Sequence, residues 1–124
     1  MAEGYTLKRI DQFEEMEGSG GATWRLARKS LGADAFGFNL VDLEPGGELP
    51  EHDESESGQE EIYIVLEGDA TLVADGEELA APPGTFCRYG TEVKRTVRNK
   101  SDSPIRLLLI GVPGDSGYTP MSWA

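Results

Sequence analysis

Cys87, between Phe86 and Arg88, is the only cysteine of the chain. A thiol beside a cation has the setting that lowers a thiol pKa and makes a nucleophile. His52 is the only histidine, so no second histidine is present to act as base. A buried structural cysteine is therefore the reading we favour for Cys87. The run from Glu48 to Glu61 offers enough carboxylates for Ca²⁺, yet it lacks EF-hand spacing and reads as a solvated flap. Two further groups acquire chemistry through strand parity, because side chains alternate between the faces of a strand. Val93, Arg95 and Val97 share one face and Lys94, Thr96 and Arg98 the other, which puts Arg95 on the apolar side. Glu61 falls with Tyr63 and Val65. A guanidinium and a carboxylate facing each other inside a pocket form a charge-assisted pair. Tyr63, Tyr89, Trp24 and Phe38 could line such a pocket or simply fill a core.

The elements that must position these groups are short. Sixteen Gly and seven Pro interrupt a series of apolar runs, a pattern of strands and turns. Strands are expected at residues 5–10 as an edge, 23–31, 36–43, 60–67, 70–74, 77–81, 85–89, 92–98 and 104–112. Residues 11–22 read as a loop or one helical turn, and the Asp75-Gly76 pair as a hairpin signal. The stretch 48–59 reads as a long loop. The tail from 113 to 124 is irregular, with Tyr118, Met121 and Trp123 available to pin it to a surface. Nine or ten short strands without a repeat or a second domain imply one all-β sandwich or small barrel.

The charge is lopsided. Eleven Lys and Arg against 23 Asp and Glu give a net charge of −12, which argues against nucleic acid and anionic membranes as partners. Hydrophobic residues at 38%, with four Phe, two Trp and four Tyr, suffice for a core, so the acidity is not that of a disordered tail. No Lys or Arg occurs between Lys29 and Arg88, while that interval carries fifteen acids. One cysteine gives no intramolecular disulfide, and no window reads as a signal peptide or membrane span. A cytoplasmic protein is the expectation.

Several of these residues fall into an ordered pattern. Gly46 to His52 and Glu54, then Glu61 to Gly68, resemble the first motif of the cupin superfamily, G-x5-H-x-H-x3,4-E-x6-G. Gly76, Pro82 and Gly84 match the start of its second motif, G-x5-P-x-G. The chain is thus similar to small single-domain cupins of the conserved-barrel type. The resemblance implies a double-stranded β-helix, or jelly roll, holding a pocket between two sheets. It divides the chain into N-terminal strands and loop at 1–35, a cupin barrel core at 36–112 and a C-terminal tail at 113–124.

Metal-binding relatives use two His and a Glu from the first motif and one His from the second. Imidazole and carboxylate suit Fe, Mn, Ni, Cu or Zn. Here Glu54 stands where the second His would be, and the loop to Glu61 is longer than the pattern. Counting back from Asn99 puts Arg95 at the second-motif histidine, with Lys94 next if the register slips. His52, Glu54 and Glu61 remain as candidate metal ligands, and Glu61, Tyr63, Arg95 and Phe38 as candidate pocket residues. The expected function is a small-molecule-binding cupin with a degenerate metal site and no cofactor, its ligand polar or anionic and held by Arg95. One alternative is a metal-dependent dioxygenase or isomerase using His52, Glu54 and Glu61 with a divalent transition metal. Another is a structural or regulatory dimer with an unused pocket. A homodimer is expected from the resemblance and from the doubly apolar strand at 60–67.

Overall fold

The computed structural model describes residues 4–124. Its strands are β1 (Glu15–Glu17), β2 (Ala22–Arg25), β3 (Gly37–Leu43), β4 (Gln59–Glu67), β5 (Ala70–Ala74), β6 (Glu77–Ala81), β7 (Phe86–Tyr89), β8 (Arg95–Arg98) and β9 (Ile105–Pro113). All pairings are antiparallel. One sheet runs β1-β2-β3-β9-β4-β7 and the other β6-β5-β8. The long loop before β4 lies along β8, with single bridges from Glu48 to Arg98 and from His52 to Arg95. That contact draws the loop into the smaller sheet and faces it across the larger one.

The core lies between the sheets. Val41, Leu43, Tyr63, Val65 and Leu107 from the large sheet meet Leu72 and Val97 from the small one, all nearly or wholly buried. Gly68 ends β4 with φ +77, and a Cβ there would lie 2.6 Å from the Pro104 carbonyl oxygen. Asn99, buried at the end of β8, donates through Nδ2 to the carbonyl oxygens of Leu43 at 3.0 Å and Ser103 at 2.8 Å.

The N-terminal third departs from the sequence reading. Residues 5–9 join no sheet, and a 3-10 turn follows at Ile10–Gln12. The three-residue β1 lies inside the stretch read as loop, recruited by pairing with β2. The strand read over 23–31 stops at Arg25, and Ala27–Leu31 forms the one-turn helix α1, ended by Gly32 at φ 73. That left-handed cap is one glycine adopts without penalty. Strand β8 begins at Arg95 because Thr91 and Glu92 form a turn. Tyr118 and Trp123 do not pin the tail: they remain 74% and 81% exposed.

Candidate functional site

Strand β4 carries Glu61 and Tyr63 on its inner face, opposite Gly111 and Leu109 of β9. They line a cavity of about 350 Å³ between the sheets. Trp24 from β2, Leu49 and Pro50 from the long loop, and Leu109 make its apolar wall, while Asn39, His52, Gln59 and Glu61 supply polar groups. Gly37 and Gly111 are direct cross-strand partners at its edge. A Cβ on Gly111 would stand 2.6 Å from Gln59 Oε1 and 3.5 Å from Glu61 Oε2, so the bare backbone keeps that end open.

Arg95 is 0% exposed. Its Nε donates to Glu61 Oε1 at 3.1 Å, and its Nη1 to the carbonyl oxygens of Val93 at 2.6 Å and Gly90 at 3.1 Å. Nη2 also lies 3.1 Å from Glu61 Oε1, but at an angle that leaves it without a hydrogen bond. The guanidinium carbon stands 5.2 Å from the centre of the Tyr89 ring, within cation–π range. Tyr89 in turn packs edge-on against Tyr63, with centroids 4.9 Å apart, and donates its hydroxyl to the Val73 carbonyl at 3.2 Å. Arg95 therefore does not line the cavity. It sits beneath Glu61, and a ligand anion held directly by Arg95, as expected from sequence, would find no exposed guanidinium surface.

Burial raises the Glu61 pKa; the Arg95 charge opposes it, Glu54 adds to it, and His52 opposes it more weakly. Desolvation also pushes the Tyr63 phenol upward, with the Glu61 charge reinforcing it. The Tyr63 hydroxyl donates to Glu61 Oε1 at 3.4 Å. Every close cation and hydroxyl thus converges on Oε1, leaving Oε2 for the cavity.

His52 approaches from the long loop, where its backbone exchanges two hydrogen bonds with Arg95. Its Nδ1 lies 3.2 Å from the Pro50 carbonyl oxygen, and its Nε2 lies 3.0 Å from Glu54 Oε2 and 3.8 Å from Glu61 Oε1. Glu54 is steadied by the Ser57 hydroxyl at 2.5 Å. One donor atom from each of His52, Glu54 and Glu61 falls within 4.8 Å of the others. This is the one such cluster among the described residues.

The remaining candidates sit at the edge of the cavity or away from it. Phe38 borders the cavity, but it pairs with Ile110 and its ring stands 5.2 Å from Phe36, on the outer face of the large sheet. Lys94 is exposed, its backbone N–H donating to Asp75 Oδ1 at 2.9 Å. Cys87 lies opposite Tyr63 and packs against the core. The neighbouring Arg88 instead engages Glu60 at 2.5 Å. Gly37, Gly111, Gln59, Asn39 and the Leu49-Pro50 pair were not singled out from sequence. The readable signal was Gly111, a glycine inside an otherwise apolar strand, which marks an open or closely approached site.

Two antiparallel sheets enclosing a side-chain-lined cavity define a small jelly-roll barrel. The cupin domain family model matches residues 39–111, and the chain belongs to that family. Solved structures agree. A cupin protein from Bacteroides fragilis shares 27% identity, covers 95% of this chain and 93% of its own, and superposes with a TM-score of 0.75. A sugar phosphate isomerase of the cupin superfamily from Silicibacter pomeroyi shares 26% identity over 86% of this chain and 75% of its own, with a TM-score of 0.73. A predicted oxalate decarboxylase from Thermotoga maritima, at 17% identity, covers 87% and 99% with a TM-score of 0.76 and shows the fold alone. No curated protein sequence matches the chain. Among the described residues no helix is long and apolar enough to cross a membrane.

Proposed function

We propose that the chain is a small-molecule-binding cupin in which the Arg95–Glu61 pair occupies the place that a metal takes in metal-binding relatives. The carrying observation is the fully buried guanidinium, which shares Glu61 Oε1 through Nε and Nη2 at 3.1 Å each. A divalent ion held by either oxygen of Glu61 would sit close to that fixed positive charge. At ~4 Å and an effective dielectric of ~20, each unit-charge pair costs on the order of 4 kcal/mol. The buried Arg95 charge therefore weighs against a resident transition metal at these donors, and fold alone assigns no reaction. The sugar phosphate isomerase from Silicibacter pomeroyi shares the fold, but a phosphate-bearing ligand suits this cavity poorly, because Glu61 lines it, Glu54 stands 3.0 Å behind its His52, and Arg95 is covered.

A metal-dependent enzyme using His52, Glu54 and Glu61 is the second reading. Two observations favour it: the three donors lie within 4.8 Å, and Nδ1 of His52 faces the Pro50 carbonyl with Nε2 turned to the carboxylates, an arrangement that orients histidine ligands. Thermal unfolding with and without EDTA separates the two. The metal-free reading expects an unchanged Tm, and a fall of several degrees restored by one metal supports the enzyme.

The partner we propose is a second copy of the chain, docked on the outer face of the large sheet. Ile62, Ile64, Leu108 and Ile110 lie there half-buried beside Phe86, which is 69% exposed.

A further inference from the structure

The ligand itself can be read from which atoms the cavity leaves unused. Arg95 Nε and Nη2, the Tyr63 hydroxyl and His52 Nε2 all approach Oε1 of Glu61. Among the described residues no side chain donates to Oε2, which points toward the open end beside Gly111, near Gln59 Oε1. Two oxygen acceptors thus converge on a space that the missing Cβ of Gly111 keeps free. The apolar lining comes from Trp24 and Leu109 of the same sheet and from Leu49 of the long loop.

We propose that the pocket binds an uncharged, hydroxyl-bearing molecule with an apolar body, an alcohol or phenol, whose O–H donates to Glu61 Oε2. This assignment rests on the metal-free reading above. An O–H to carboxylate bond is charge-assisted and stronger than a neutral one, and burial of the carboxylate heightens its need for a donor. The volume of about 350 Å³ equals roughly a dozen waters at ~30 Å³ each, room for one ring with a short substituent. An anion would meet Glu61, with Glu54 close by behind His52, and no exposed guanidinium to balance them. An ammonium gains less over a hydroxyl than a lone carboxylate would give it, because the Arg95 charge already stands against Glu61.

Benzyl alcohol, benzoate and benzylamine share a ring and differ in the head group, so their titration by protein-observed NMR isolates that group. The protein is used as purified, with its metal content measured first. Benzyl alcohol is expected to bind at least about tenfold more tightly than either charged probe, a difference of ~1.4 kcal/mol. Gly111→Ala pushes a methyl onto the Gln59 amide and weakens the alcohol about tenfold with little change in Tm. Should that variant unfold, Gln59→Ala removes one acceptor without filling the space and weakens the alcohol about threefold. Benzoate binding as tightly as the alcohol, tighter benzylamine, no alcohol binding below about 10 mM, or full affinity in the folded Gly111→Ala protein each overturns the assignment. Near-stoichiometric metal overturns the underlying metal-free reading instead, whichever probe binds.

Discussion

Arg95 and Glu61, 34 residues apart in sequence, meet at 3.1 Å between β8 and β4 with the guanidinium wholly buried. The pair ties the two sheets together at the back of the cavity. Removing one member of a buried ion pair leaves an uncompensated charge and costs ~3–5 kcal/mol. Glu61 keeps some exposure, with its side chain 14% accessible, so Arg95→Met is expected near the lower end, about 3 kcal/mol by urea unfolding. Adding Glu61→Gln should recover part of that loss. Strictly additive losses in the double-mutant cycle would show that the two residues are not coupled.

Glu61 titrates in an unusual direction for a paired carboxylate. Burial outweighs Arg95, so the folded group holds its proton to higher pH than the unfolded one. Its contribution to stability is then fullest below the ordinary glutamate value, near pH ~4.3, and declines as pH rises through the raised folded value. A carboxyl-carbon NMR titration should place the Glu61 midpoint above that ordinary value. A midpoint below it would mean that Arg95 dominates the site.

Asp42 behaves oppositely. Burial pushes its carboxyl up, but Arg106 and Arg25 together outweigh that and hold it below the usual range. Arg106 Nε lies 2.7 Å away and Arg25 Nε 3.0 Å, so the residue links β2, β3 and β9. The folded pKa is depressed, so this stability is present above pH ~4 and lost as pH falls through the folded value. Asp42→Asn should cost about 1.5–3 kcal/mol at neutral pH. The gap from wild type should close in acid. A gap that stays constant down to pH ~2 would contradict the ion-pair origin.

Gly68→Ala tests the turn that ends β4. The residue has φ +77, and an added Cβ would meet the Pro104 carbonyl oxygen at 2.6 Å and Ile105 Cγ2 at 2.8 Å. Left-handed strain alone costs ~1–2 kcal/mol, and the clash adds to it. Calorimetry should show a clear fall in Tm, whereas Gly76→Ala, which meets nothing within 4 Å, should show only the strain.

Light scattering should give twice the chain mass of 13.4 kDa at micromolar concentration. Ile64→Arg, placing a charge on the outer sheet face, should return the monomer with its strand content intact. A wild-type monomer would remove the dimer proposal.

The fold was readable where side-chain periodicity and turn residues agreed. The apolar run at 60–67, the Asp75-Gly76 hairpin and the Pro-Gly turns lie close to the bounds of β4 to β7. Periodicity failed from 5 to 31, where β1 exists only because β2 offers it an edge and α1 is a single turn closed by Gly32. In the site, parity together with the motif spacing pointed to Glu61, Tyr63 and Arg95, because a two-residue period survives in any strand. It could not show that Arg95 lies beneath Glu61 rather than in the cavity, since depth depends on which neighbours cover a side chain. Phe38 borders the cavity although it alternates with the outer face of β3, a placement that alternation alone does not show. Gly111 is invisible to any search for reactive groups, since its contribution is the absence of a side chain.

Elemental analysis of protein purified without added metal tests the central claim most directly. If the Arg95–Glu61 pair fills the metal's place, no Fe, Mn, Ni or Zn will approach one atom per chain, and His52→Ala will change nothing in that measurement. Near-stoichiometric metal that disappears in His52→Ala would contradict the account and establish His52, Glu54 and Glu61 as a metal centre.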